Sequence, residues 1–287
     1  MRIGVQVSTA GKIYYAVDRA KELGCNTMQI FARNPRQWRK TSLTQKDIAI
    51  FKERVKKEKI SPVAVHIPYT LNLATAKPHF YKVTIKEFIE DLIEADRLGA
   101  QYLITHMGSH RGISEEEGLF KISNALEEII KATKGTSTMI LLENTSGSGK
   151  WLGYNFSHHR IILEKIDFSP QVGICFDTAH AWAAGYKIDE KGAVDELVNE
   201  IDREIGIERL KVIHLNDTQT NLGSRHDRHF DIGKGNIGEK GFSCILGHPR
   251  LKDLAFILET PKESEEDDLR NLDMARRIYK NAVLQRN

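Results

Sequence analysis

The sequence predicts an α/β fold, a single (β/α)8 TIM barrel over residues 1–287, on three observations. Eight apolar β-like runs alternate with amphipathic helical segments from one end of the 287-residue chain to the other. The runs are apolar on both faces, as strands of a parallel sheet covered by helices must be. The length suffices, since such barrels take roughly 250 residues. An open doubly wound sheet is the alternative that the same units could build.

The β-like runs fall at 3–8, 27–31, 62–67, 102–106, 139–144, 172–177, 210–216 and 255–260. Between the third and fourth, residues 81–98 read as a helix. Ile85, Phe88, Ile89, Leu92 and Ile93 recur at helical spacing, with Lys86, Glu87, Glu90 and Asp91 on the opposite face. Ser114 followed by Glu117 forms a capping box ahead of a helix over 119–130. Thr44 with Asp47 is a weaker version ahead of 48–55. No Pro/Gly/Ser-rich linker, low-complexity tract or short repeat divides the chain.

Composition narrows the setting. No stretch of about 18 apolar residues is present, so no membrane span is expected. The first residues read as a strand and not a signal peptide. Cys25, Cys175 and Cys244 are far apart and form no CxxC pair, which fits a reducing compartment and a cytoplasmic location. Cys175 sits inside an apolar run and reads as a small core residue. The net charge of +3 is by itself weak evidence for a nucleic-acid partner. With no exposed apolar stripe in evidence, a monomer is the default expectation.

The strand ends carry the chemistry. His66, His106, Glu143, Asp177, His214 and Glu259 close six successive runs. In a barrel of this kind the C-terminal strand ends form the active-site rim, so these six residues would converge. His, Asp and Glu without Cys suit Zn²⁺, Mn²⁺ or Fe²⁺. Six ligands exceed what one catalytic zinc uses, whereas two ions sharing a carboxylate would use them all, with Glu143 as the natural bridge. His180, three residues after Asp177, and the pair Asp227 and His229 in a glycine-rich loop would add a third site. Four carboxylates against three dications leave such a cluster near about +2, which suits an anionic phosphodiester. Gly233, Gly235 and Gly238 match a dinucleotide fingerprint in spacing. The charged residues ahead of them are no buried strand, so that reading is discounted. His79, His110, His158, His159, His226 and His248 end no strand and read as surface residues or as support for the ligands.

Five blocks together resemble one family. They are 173–180 (GICFDTAH), 214–217 (HLND), Gly223-Ser224 with 227–229 (DRH), 141–145 (LLENT) and 258–260 (LET). They resemble endonuclease IV, the zinc-dependent apurinic/apyrimidinic (AP) endonuclease of DNA base-excision repair, and the likeness runs over nearly the whole chain. The resemblance implies a (β/α)8 barrel with three Zn²⁺ per chain. One would take His66, His106 and Glu143; a second Glu143, Asp177, His214 and Glu259; a third His180, Asp227 and His229. It implies hydrolysis of the phosphodiester 5′ to an abasic site in double-stranded DNA, giving 3′-hydroxyl and 5′-deoxyribose-phosphate ends, and removal of 3′-blocking groups. Glu143 would be the catalytic carboxylate that positions the attacking water. Residues 33–40 (RNPRQWRK) interleave four basic side chains with Trp38, a composition suited to phosphates and stacking. By resemblance Arg36 and Tyr69 are DNA-binding residues entering the minor groove at the lesion. Thr70 stands where the family often has a bulky aliphatic residue, so the wedge is expected to be weaker or to rely on Leu71.

Two other readings use part of the same evidence. A sugar isomerase or epimerase would need only Glu143, Asp177, His214 and Glu259, around one Mn²⁺ or Mg²⁺. A non-catalytic binder of damaged DNA would have no use for the full ligand set.

Overall fold

The computed structural model describes residues 1–31, 33 and 43–284. Eight parallel strands form one sheet: β1 (Arg2–Val5), β2 (Met28–Phe31), β3 (Val63–His66), β4 (Tyr102–His106), β5 (Met139–Glu143), β6 (Val172–Asp177), β7 (Leu210–His214) and β8 (Ala255–Leu258). From β2 to β8 each strand pairs with its neighbour in sequence, and β1 pairs with β8. The barrel closes between β1 and β2 through a parallel bridge of Gln6 with Gln29, where Val7 N donates to Gln29 O at 2.8 Å. Gly4 permits that approach, because a Cβ there would lie 1.9 Å from Thr27 O.

The helices are α1 (Tyr15–Glu22), α2 (Gln45–Glu58), α3 (Pro78–Leu98), α4 (Glu115–Ala132), α5 (Phe156–Lys165), α6 (Thr178–Ala184), α7 (Lys191–Ile205), α8 (Gly238–Gly247) and α9 (Glu265–Leu284). Both expected caps form. Ser114 Oγ accepts from Glu117 N, and Thr44 Oγ1 from Asp47 N, each at 3.1 Å. The helical periodicity marks the buried stripes that pack on the barrel, as with Ile85, Phe88 and Leu92 on α3. None of the described helices is long and apolar enough to cross a membrane.

The barrel interior is layered. Its lower plug is a separate apolar cluster of Ala64, Ile104, Leu141, Cys175, Val212, Ala255 and Ile257. Strand side chains alternate between faces, so the residue two positions on points into the same interior, one layer higher. Two residues past Ala64, Ile104, Leu141, Cys175, Val212 and Ile257 come His66, His106, Glu143, Asp177, His214 and Glu259. The six expected ligands therefore sit in one layer directly above an apolar floor.

Candidate metal centre

Glu143 is at the centre of this layer and is fully buried. Its Oε2 lies 3.1 Å from His66 Nε2 and 3.0 Å from His106 Nε2. Its Oε1 lies 2.9 Å from His214 Nδ1 and 3.3 Å from His180 Nδ1. One carboxylate thus touches imidazoles from four different loci. Burial pushes the Glu143 carboxyl up, but His106 and His214 outweigh it and hold the group well below the usual carboxylate range. Burial would lower His180 and His214. Asp177 and Asp227 around the first, and Cys175, Glu259 and Glu143 around the second, hold both rings well above the ordinary value. Glu259, raised by burial and lowered by His214, ends below its ordinary range.

Among the described residues, three groups of side chains bring ligand atoms within 4.8 Å of one another. They are His66, His106 and Glu143; Glu143, Asp177, His214 and Glu259; and Asp177, His180 and His229. The first two have the same members as the sets that the resemblance implies. The third shares His180 and His229 with expectation and adds Asp177. Asp227 is half-exposed on its loop, with Oδ1 at 3.2 Å from His180 Nε2 and 3.6 Å from His229 Nε2. Asp177 reaches two groups because it also caps α6. Its Oδ1 accepts from His180 N at 2.7 Å, which leaves Oδ2 turned toward His214 and His229.

The rings pose a chemical question that tests whether a metal fits. His66 Nδ1 lies 2.7 Å from Ile67 O, His180 Nδ1 3.0 Å from Asn144 O, and His229 Nδ1 3.1 Å from Glu259 O. A carbonyl only accepts, so each neutral ring spends its one proton there and its Nε2 is a lone pair. For His66 and His180 that lone pair faces a carboxylate oxygen at 3.1 and 3.2 Å. For His229 it is buried without a hydrogen-bond partner, 3.7 Å from Asp177 Oδ2 and 3.6 Å from Asp227 Oδ1. Lone pair facing carboxylate is unfavourable unless a second proton or a cation lies between them. A divalent cation shared by ring and carboxylate satisfies both, and outer carbonyls that orient the rings are the usual support of such sites. The residues fit metal binding.

The mouth opens into a cavity of about 440 Å³ lined by Tyr69, His106, Thr145, Ser146, Ser148, Trp151, His180, Asp227, His229 and Glu259. Tyr69, about half-exposed, stands at the rim with its ring 5.7 Å from that of His66 and 5.4 Å from that of His106. Leu71 is buried in the core, so it is not placed to act as a wedge, whereas Tyr69 is exposed at the rim. Arg36 and Trp38 lie outside the described residues, while Arg33 at the start of that segment is buried against Glu87 and Asp91 of α3. The glycine loop is built around Asp217. Its carboxylate accepts from Gly235 N, Ile237 N and Gly238 N, and a Cβ at Gly235 would meet Asp217 Oδ1 at 2.4 Å. That loop folds on its own protein, consistent with discounting the dinucleotide reading. A larger groove, of about 630 Å³, runs outside the barrel past Asp195, Cys244 and His248, away from the ligand layer.

The matching sequence profile is that of the family described as Xylose isomerase-like TIM barrel, over residues 17–279. The chain is 41% identical to the probable endonuclease 4 of Halothermothrix orenii, over 96% of this chain and all of that protein. The chain belongs to the endonuclease IV family. It is also 41% identical to the probable endonuclease 4 of Nitrosopumilus maritimus, over 96% of this chain and 99% of the relative. The solved endonuclease IV from Thermus thermophilus superposes with a TM-score of 0.87 at 33% identity, covering 98% of this chain and 100% of that one. A D-tagatose 3-epimerase-like protein shares the fold at 23% identity and a TM-score of 0.77. The relatives thus favour a nuclease over the sugar-isomerase alternative that the four residues Glu143, Asp177, His214 and Glu259 left open.

Several supporting residues escaped the sequence reading. Asn144 Oδ1 accepts from Asp177 N at 2.6 Å, and Asn216 Nδ2 donates to Asp177 Oδ2 at 2.6 Å while its Oδ1 accepts from Glu259 N at 2.8 Å. Gln29 and Trp151 also reach the layer or its cavity. The available signal was a polar residue next to a ligand or inside an apolar run, as in LLEN, HLN and MQIF.

Proposed function

We propose that this protein is a metal-dependent DNA-repair endonuclease that hydrolyses the phosphodiester 5′ to abasic sites. It would leave 3′-hydroxyl and 5′-deoxyribose-phosphate ends and also clear blocking groups from 3′ ends. The observation that carries the reading is the set of imidazole lone pairs aimed at carboxylates in one buried layer. Three Zn²⁺ per chain is the proposed complement, with Mn²⁺ or Fe²⁺ as possible substitutes. His66, His106 and Glu143 would hold the first, Glu143, Asp177, His214 and Glu259 the second, and His180, Asp227 and His229 the third. Bound ions of this kind acidify water and neutralise charge on a phosphodiester in an in-line displacement.

The chain's own residues supply the rest. Glu143, reached by rings on both of its oxygens, orients the attacking water at the floor of the cavity. His180, fixed by Asn144 O and the α6 first turn, lines the cavity and would help stabilise the leaving oxygen. Tyr69 at the rim fills the space opened in the duplex, and Arg36 contacts the groove. An abasic nucleotide has no base to unstack, so turning it into the cavity costs little. The protein would act on double-stranded DNA as a monomer in the cytoplasm, with residues 1–287 as one AP endonuclease domain.

The test is an incision assay on a labelled duplex carrying one abasic site, with and without a chelator, followed by addition of Zn²⁺ or Mn²⁺. Cleavage 5′ to the lesion, lost on chelation and restored by the ion, is expected. No incision by metal-loaded protein would refute the reading.

A further inference from the structure

Gln29 lies within β2, fully buried, and its carboxamide touches two members of the ligand layer at once. Nε2 donates to Glu259 Oε1 at 2.6 Å and to Gln6 Oε1 at 2.8 Å, while Oε1 lies 2.8 Å from His214 Nε2. The chemistry of the contacts fixes the direction of each bond. An ionised carboxylate only accepts, so the end of the amide at Glu259 is the NH₂. The other end is then the carbonyl, which also only accepts, so His214 carries its proton on Nε2. In the neutral ring that a metal ligand must be, the lone pair of His214 is therefore on Nδ1, which faces Glu143 Oε1 at 2.9 Å and Glu259 Oε2 at 3.3 Å. The same amide occupies Glu259 Oε1 and leaves Oε2 turned to the cluster.

His66, His180 and His229 have their outer nitrogens held by main-chain carbonyls, which persist whatever the residue. His214 is held by a side chain. Gln29 is in turn fixed from behind, at the seam where the barrel closes: its main-chain oxygen accepts from Val7 N and its amide is braced by Gln6.

Resting on the metal-centre reading above, we propose that Gln29 is a positioning residue of that centre. It sets which nitrogen of His214 and which oxygen of Glu259 are free to bind, and so governs how tightly the ion they share is held. Outer partners of metal ligands commonly change affinity by about 10- to 100-fold when removed.

The experiment measures zinc transfer from the loaded protein to a competing chromogenic chelator for wild type, Gln29→Leu and Gln29→Glu. Absorption spectra of the Co²⁺-substituted forms are recorded alongside. In Gln29→Leu one ion per chain is expected to leave about 10- to 100-fold more readily, with an altered Co²⁺ spectrum, while the other ions hold as in wild type. Gln29→Glu keeps an acceptor for His214 and sets a carboxylate against Glu259, so it loses affinity while keeping the His214 tautomer. Wild-type protein that binds no zinc would remove the metal centre itself. Wild-type binding with an unchanged affinity and Co²⁺ spectrum in Gln29→Leu would overturn the role of Gln29 alone. Should Gln29→Leu fail to fold, ¹⁵N-histidine spectra of the zinc-loaded wild type decide. The ring resonances absent from His214→Gln are expected to carry the proton on Nε2, and a proton on Nδ1 overturns the proposal.

Discussion

Two parts of the molecule bury histidine completely and hold it in opposite states. At the barrel mouth His180 and His214 face carboxylates and are held well above the ordinary imidazole value. On α5, His159 packs beside the Phe156 ring, its centroid 5.5 Å away, and both of its nitrogens lack hydrogen-bond partners. Burial, with His158 nearby, pushes it down to about 3. Burial alone favours the neutral ring. At the mouth the surrounding acids reverse that preference, and a site that attracts protons so strongly also attracts cations. No such acid faces His159 among the described residues, and its ring is packed as an apolar filler.

The largest break in this contrast comes from removing the shared acid. Glu143→Ala is expected to abolish incision of an abasic duplex while far-UV circular dichroism stays native, since the apolar floor below it is untouched. Full activity would strip Glu143 of its role. His180→Ala is expected to abolish incision too, and to lower the metal content measured in the purified protein while ions on the Glu143 side are retained.

Chelation sharpens the comparison without mutation. Ions bound only to the folded state stabilise it by about 3 kcal/mol when present at about a hundredfold their dissociation constants. The melting temperature of wild type should therefore fall on chelation, and that of His159→Leu should fall equally. A melting temperature indifferent to chelator would argue against tight ions at the mouth.

The smallest effect belongs to the helix layer. His159 takes a proton near the ordinary value of 6.5 in the unfolded chain and only near about 3 in the folded protein. Between those values the unfolded state binds more protons, so the contribution of His159 is complete above 6.5 and is lost as pH falls toward 3. His159→Leu should flatten melting temperature against pH in that window, leaving incision and metal content at neutral pH unchanged. A pH profile identical to wild type would show that the ring does not titrate as argued.

The fold was legible because strand identity is written in local composition. The runs at 102–106 and 172–177 match β4 and β6 residue for residue. The run at 3–8 overshoots β1, which ends at Val5; beyond it the chain only touches β2 at the Gln6–Gln29 bridge before turning away. The inner ligands were legible through period two, since each follows an interior apolar residue by two positions. Asp227 and His229 sit on a loop that follows no interior apolar residue, and the spacing of two between them, with the DRH block, pointed to them. His159 was read as a surface or supporting residue and is instead deep under α5; periodicity marks a buried position but not which side chain fills it. Gln29 was visible as a polar residue in MQIF, yet its partners Gln6, His214 and Glu259 come from three other strand ends, a juxtaposition that only barrel closure creates.

The buried layer of histidines and carboxylates is proposed to be a multi-ion centre. Elemental analysis of the purified protein, loaded with zinc and freed of excess, tests it most directly. About three ions per chain is the predicted result; a single divalent ion per chain, as a sugar isomerase would hold, would contradict it.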